Sequence, residues 1–157
     1  MNQRIHRTCL ALALGAGLAC LLWPAPTPAV QKDGDKKVYE VNEKDGLTVG
    51  GKLAATDDKD TSLKDSYRKV YLVKMSAGKE YTIRMNAKPG EKIDAVLRVE
   101  DPSGKELAFN DDAPGEDTLD SRIDFKCAKD DVYRVICTSL NGNATGDYTL
   151  IIKRAAK

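Results

Sequence analysis

The chain has 157 residues with 25 Lys+Arg against 24 Asp+Glu, a formal net charge of +1. So even a balance points to neither nucleic acid nor an anionic membrane surface as a partner, and the length suits one domain. The single His (His6), the single Trp (Trp23) and two of the four cysteines (Cys9 and Cys20) all fall within residues 1–29, so any chemistry beyond that stretch proceeds without His or Trp.

Residues 1–29 begin with Arg4, His6 and Arg7, continue through an apolar run from Cys9 to Trp23, and end in Pro24-Ala-Pro-Thr-Pro-Ala29. This is the three-part plan of a secretory signal peptide, with cleavage expected after Ala29. At about 15 residues the apolar run is shorter than the ~20 a spanning helix needs. Export to the periplasm, cell envelope or medium is therefore expected, with no membrane contact after cleavage. Residues 30–46 read as a polar leader into an edge strand, in which Val38, Glu40 and Asn42 alternate with Tyr39 and Val41.

The remainder, 47–157, is expected to form one domain. Gly46 to Leu53 reads as a strand whose glycines mark a bulge or a close approach, and Asp57 to Ser62 reads as a loop. Tyr71, Val73 and Met75 share one face. Tyr81, Ile83 and Met85 share the next across Ala77-Gly78, which suggests a hairpin. After Pro89-Gly90 come Ala95, Leu97 and Val99. Asp101-Pro-Ser-Gly104 has the composition of a type I turn and leads to Leu107 and Phe109. Asn110 to Asp120 is an acidic loop. Ile123, Phe125 and Cys127, then Tyr133, Val135 and Cys137, and finally Tyr148, Leu150 and Ile152 each mark a face. No stretch sustains helical spacing. The expected fold is all-β, an antiparallel β-sandwich of eight or nine short strands.

In order, Gly51-Lys-Leu53, Tyr71 with Val73 and Met75, Ala77-Gly78 with Tyr81 and Ile83, Asp94 before Leu97 and Val99, Gly104 with Leu107-Ala108, Asn110-Asp-Asp112, Ser121-Arg-Ile123, Tyr133-Arg-Val135 and Gly146-Asp-Tyr-Thr-Leu150 form a series. From Leu47 to Ile152 this series resembles the bacterial pre-peptidase C-terminal domain, a jelly-roll-like β-sandwich found behind the catalytic domains of secreted peptidases. The resemblance implies a non-catalytic accessory module that binds a protein or an extracellular polymer. Its alternative is a calcium-stabilised structural or chaperone-like partner of a separately encoded secreted peptidase or hydrolase. Two departures stand out. No peptidase domain precedes the module in this sequence, so a stand-alone role is expected, and Asp130-Asp131 replaces the glycine often found before Tyr133.

Asp94, Asn110, Asp111, Asp112, Glu116, Asp117 and Asp120 offer the hard oxygen ligands that calcium takes. The bland reading is a solvated loop with Asn110 or Asp111 capping a turn. Asp58-Lys-Asp60-Thr-Ser62 opens like an EF-hand loop, but Leu63 stands where glycine is needed and Lys69 where the closing glutamate belongs. Cys127 and Cys137 are candidates for a disulfide if their strands lie in facing sheets, and otherwise read as two buried thiols. Ser66 and Ser121 have no histidine to activate them, and the aromatic supply, six Tyr and two Phe, sits mostly at inward positions. No enzymatic activity is expected. The binding surface is expected on the Tyr-bearing strands or the acidic loop. Asn143-Ala-Thr145 marks an exposed loop.

Overall fold

The computed structural model describes residues 37–155. The expected signal peptide, 1–29, and residues 30–36 of the expected polar leader lie outside them. The described residues form nine strands: β1 (Val38–Glu40), β2 (Leu47–Leu53), β3 (Lys69–Met75), β4 (Glu80–Ala87), β5 (Ala95–Glu100), β6 (Glu106–Asn110), β7 (Ser121–Lys126), β8 (Asp131–Ser139) and β9 (Gly146–Arg154). They pair into a five-stranded sheet, β1-β3-β8-β5-β6, and a four-stranded sheet, β2-β9-β4-β7. All neighbours run antiparallel except β1, which pairs with β3 in parallel. The all-β sandwich expected from the alternation is the fold.

The period-two pattern predicts the inward faces correctly. Val73, Met75, Tyr81, Ile83, Met85, Leu97, Val99, Ile123, Tyr133, Val135, Leu150 and Ile152 meet in one core between the sheets. The pairing differs from the expectation at β3 and β4, which form no hairpin. The turn at Ser76–Lys79 instead carries the chain across the sandwich, so β3 joins the five-stranded sheet and β4 the other. The crossing is fixed by Cys127, whose carbonyl accepts the Gly78 N–H (2.8 Å) and whose N–H donates to the Lys79 carbonyl (2.8 Å). Gly78 has φ +70°, a conformation that glycine adopts without steric penalty. Only β5 and β6, joined by the Asp101–Gly104 turn (Gly104 N–H to Asp101 C=O, 3.0 Å), are consecutive strands in the same sheet.

Gly51 is a close approach and not a bulge. It stands opposite Tyr148 in the β2–β9 ladder, and a Cβ there would lie 2.3 Å from the tyrosine Cζ. The vacant space lets the Tyr148 ring lie under β2 and its hydroxyl meet that of Tyr71 (2.8 Å) deep in the core. Burial away from water disfavours the phenolates and pushes Tyr71 up to about 12.

The outer face of β5 is where sequence and structure diverge most. Arg98 and Glu100 occupy outward positions, yet both are buried because residues 54–68, the β2–β3 connection, fold over the five-stranded sheet. Asp60 at the centre of that segment accepts Arg98 Nη1 (3.1 Å) and Nη2 (2.8 Å), while Arg98 Nε reaches Glu100 (2.8 Å) and Glu100 also receives Arg134 Nε (3.1 Å). Asp60 further accepts the N–H groups of Ser62 and Leu63, so the charge is paired and its lone pairs are satisfied. The second aspartate of the incomplete EF-hand pattern is thus the anchor of a cover segment.

Candidate functional site

The β6–β7 connection, Asn110 to Asp120, arches from one sheet to the other and is tied down at both feet. The Ser121 hydroxyl donates to the Asn110 carbonyl (2.8 Å), and Asn110 Oδ1 accepts the Arg122 N–H (3.2 Å). Asp120 Oδ1 accepts the Ala87 N–H from β4 (2.9 Å), and the Leu119 carbonyl accepts the Ala95 N–H at the start of β5 (2.9 Å). Midway, Ala113 is buried, and its N–H donates to the Asp120 carbonyl (2.8 Å), which pinches the loop. The tip turns at Gly115 (φ +76°) and directs Glu116 back onto Arg84 (Nη1–Oε1, 2.8 Å) and Arg122 (3.2 Å). The Arg84 guanidinium, foremost, holds the Glu116 carboxyl below its ordinary range.

Beside this clamp is an open cavity of about 370 Å³, lined by Asp112, Glu116, Asp117, Thr118 and Leu119. Leu119 is 57% exposed. Glu116 is neutralised by its two arginines, whereas no cation pairs with Asp112 or Asp117 among the described residues. The result is an acidic hollow with an apolar rim on a braced loop.

The expected calcium ligands do not gather as one set. Asn110 and Asp120 bind backbone within the fold, Glu116 is in the arginine clamp, and Asp117 lies at the cavity. Asp94, Asp111 and Asp112 do come near one another. Partial burial, then the charges of Asp112 and Asp111, raise the Asp94 carboxyl above its usual value. Among the described residues, no group of three or more His, Cys, Asp or Glu side chains is arranged to hold a metal ion. As for nucleophiles, the Ser121 hydroxyl donates a hydrogen bond to the Asn110 carbonyl within the fold, and Ser66 is buried within the cover segment.

Cys127 and Cys137 are free thiols, which corrects the candidate disulfide. Their strands do lie in facing sheets, as a bridge would require, but the cysteines sit at opposite ends. Cys127 follows β7 beside the start of β8, where its thiol donates to the Lys129 carbonyl (3.1 Å). Cys137 lies near the far end of β8, opposite Leu97 and Lys69. Six residue steps along β8 carry the chain from Asp131 to Cys137, roughly 20 Å at strand rise, well beyond bridging distance. Burial in the core raises the Cys137 thiol far above its ordinary range, so it remains protonated.

The strand tyrosines form no open aromatic face among the described residues. Tyr71, Tyr81, Tyr133 and Tyr148 are buried, and the half-buried Tyr67 is covered by the Lys59 ammonium, 3.6 Å from the ring centroid. Sequence reasoning placed these tyrosines inward but also offered them to a ligand; the closed core permits only the first. The exposed large apolar side chains are Val38 on β1, Leu107 and Phe109 on β6, Leu119 in the arch and Leu140 just after β8.

No protein-family model matches the sequence, and no curated protein is significantly similar to it. Among solved structures, the pre-peptidase C-terminal domain of a collagenase from Bacillus anthracis superposes with a TM-score of 0.53 at 19% identity, over 74% of this chain and 92% of that one. A periplasmic inhibitor of g-type lysozyme from Aeromonas hydrophila superposes with a TM-score of 0.49 at 11% identity, over 76% of this chain and 98% of that one. The first superposition agrees with the fold that the residue series resembles.

Proposed function

We propose that this chain, sharing the fold of a collagenase's pre-peptidase C-terminal domain, is an exported, non-catalytic module that binds a basic segment of a partner protein through the β6–β7 arch. The observation that carries this reading is the pairing of uncompensated Asp112 and Asp117 with exposed Leu119 around one braced cavity. Unpaired like charges on a rigid loop repel one another, and a lysine or arginine side chain relieves that repulsion while its methylenes cover the leucine. A protein is favoured over a polysaccharide because sugar rings stack on open aromatic platforms. Four of the six tyrosines are buried in the core, and a lysine covers a fifth. Supporting a non-catalytic role are the lack of any His beyond residue 6, the hydrogen bond that engages Ser121 within the fold and the burial of both described cysteines.

The test is affinity capture from the exported fraction of the source cells by the wild-type chain and by Asp112→Lys/Asp117→Lys. A protein held by the wild type, released by moderate salt and not held by the variant supports the reading. Equal capture by both, or retention on insoluble polymer alone, overturns it.

A further inference from the structure

Of the asparagines in the chain, Asn141 alone is followed by glycine. An asparagine side chain is open to attack by the main-chain nitrogen of the next residue, and a glycine, having no Cβ, leaves that nitrogen accessible. In a folded protein the reaction needs two groups to be free, the side-chain amide and the N–H that follows it. At Asn141 both are free. The two residues are exposed, and neither the Asn141 amide nor the Gly142 N–H has a hydrogen-bond partner among the described residues. Asn141 is held through its main chain alone: its N–H donates to Ser139 Oγ (3.2 Å) and its carbonyl accepts the Ala144 N–H (3.2 Å).

The other described asparagines are restrained. Asn42 Oδ1 accepts the Lys44 and Asp45 N–H groups, Asn110 Oδ1 accepts the Arg122 N–H, and Asn143 Oδ1 accepts Lys59 Nζ (2.6 Å). Asn86 is fixed in the β4–β9 ladder. Asp45-Gly46, the acidic counterpart of the pair, has its nitrogen engaged, because the Gly46 N–H donates to the Asn42 carbonyl (3.0 Å).

We propose that Asn141 is a site of spontaneous deamidation in the folded protein, and that the isoaspartate product unfastens the β8–β9 loop from the cover segment 54–68. The Gly142 nitrogen loses its proton to solvent base and bonds to Asn141 Cγ. The Cγ–Nδ2 bond breaks and ammonia leaves, closing a five-membered succinimide. Water then opens the ring. Addition at Cγ gives aspartate; addition at the former main-chain carbonyl carbon gives isoaspartate, in which the chain runs through Cβ and Cγ. The net change is one water consumed and one ammonia released.

The position gives the change its effect. The Asp65 carbonyl, in the cover segment, accepts the Asn143 N–H (2.7 Å) and Lys59 Nζ (2.9 Å), and Lys59 also reaches Asn143. Gly142 lies so near that a Cβ on it would stand 3.1 Å from the Asp65 Cβ. Isoaspartate adds a main-chain atom to this tight loop. It also turns the carbonyl that accepts the Ala144 N–H into a carboxylate near Asp65, so the turn loses its closing bond and gains a like charge. Asp60 stays paired with Arg98, so the outcome is local opening and not unfolding.

The test is incubation of the full chain at mildly alkaline pH, followed by peptide mass analysis and labelling with an isoaspartate-specific methyltransferase. Asn141 is expected to convert at least about tenfold faster than any other described asparagine, and Asn141→Gln, whose ring would have six members, to be slower by a similar factor. Hydrogen exchange at the Asn143 and Ser66 N–H groups is expected to quicken about tenfold in the converted protein, with the β8 amides unchanged. Asn141→Asp, which adds the charge without the extra main-chain atom, is expected to quicken it less. An Asn141 that stays intact in the folded chain while the urea-unfolded chain converts, or another asparagine that reacts as fast, overturns the site. Conversion that leaves exchange at Asn143 and Ser66 unchanged overturns the unfastening.

Discussion

Arg98 and Asp60 form a two-point ion pair, at 3.1 and 2.8 Å, between a strand and the segment that covers it, and neither side chain is more than 1% exposed. Separating one buried charge from its partner is far more damaging than removing both, because the survivor stays desolvated. Asp60→Ala is therefore expected to destabilise the fold by about 3–5 kcal/mol in urea unfolding, and Asp60→Leu/Arg98→Met by distinctly less. Equal losses would mean that the cover segment is held by its backbone contacts and not by this pair.

The same carboxylate gives a pH signature. Burial alone would raise the Asp60 pKa, but the Arg98 hydrogen bonds and the Leu63 and Ser62 N–H groups outweigh it, so the folded-state value lies below the ordinary 3.8. A depressed carboxylate stabilises fully above its unfolded value and loses that contribution as pH falls through the folded value. The wild type should therefore lose stability steeply below pH ~4, and Asp60→Asn, less stable at neutrality, should show a shallower acid limb. Exposed Asp101, held low first by Ser103, titrates in the same window in both proteins, so their difference reports Asp60.

Asp94 has the opposite sign. Its folded pKa is raised, so its ionised form opposes folding at neutral pH and the penalty disappears below its unfolded value. Asp94→Asn is expected to raise the melting temperature at pH 7, by the equivalent of about 0.5 kcal/mol or less once solvent screening is counted, and to leave it unchanged near pH 3. Running both melts with and without calcium adds a control: the expected sign is the same in each.

Gly51→Ala would force a methyl group into the Tyr148 ring at 2.3–2.6 Å, against backbone that is hydrogen-bonded on β9. A loss of about 1–3 kcal/mol is expected, measured by chemical denaturation. Gly50→Ala, one residue earlier with open space around it, serves as the neutral comparison.

Cys127 and Cys137 are both buried, so maleimide labelling followed by peptide mass analysis should find neither modified in the native protein and both modified after denaturation without reductant. Labelling that appears only after reduction would indicate a bridge.

Why some of this was legible in the sequence and some was not comes down to what alternation encodes. Tyr71, Val73 and Met75 declare an inward face through their spacing, but an inward face looks the same on either sheet, so the pattern does not say that β4 leaves β3 at Ser76 to join the other layer. Arg98 reads as solvated because it alternates with Leu97 and Val99. Its burial depends on a cover segment whose docking residue, Asp60, is 38 positions away and lies in a run of ordinary loop composition. The acidic character of Asn110 to Asp120 was plain, whereas the division of its oxygens between backbone, arginines and cavity depends on strands that the loop itself does not contain. Asn110 comes nearest to being foreseeable, since a side-chain cap on a turn was among its readings and its amide oxygen does accept a backbone N–H.

The alternation of successive strands between the two layers also governs how the chain reaches this state. With β5–β6 the one consecutive pair joined edge to edge, few contacts are close in sequence, and closing distant segments must precede most of the gain. Folding should therefore take milliseconds to seconds, as for other sandwiches, with the two layers condensing together. A protease cut in any connection from β2–β3 to β7–β8 would leave interleaved pieces, each missing strands from both sheets and neither able to persist once separated.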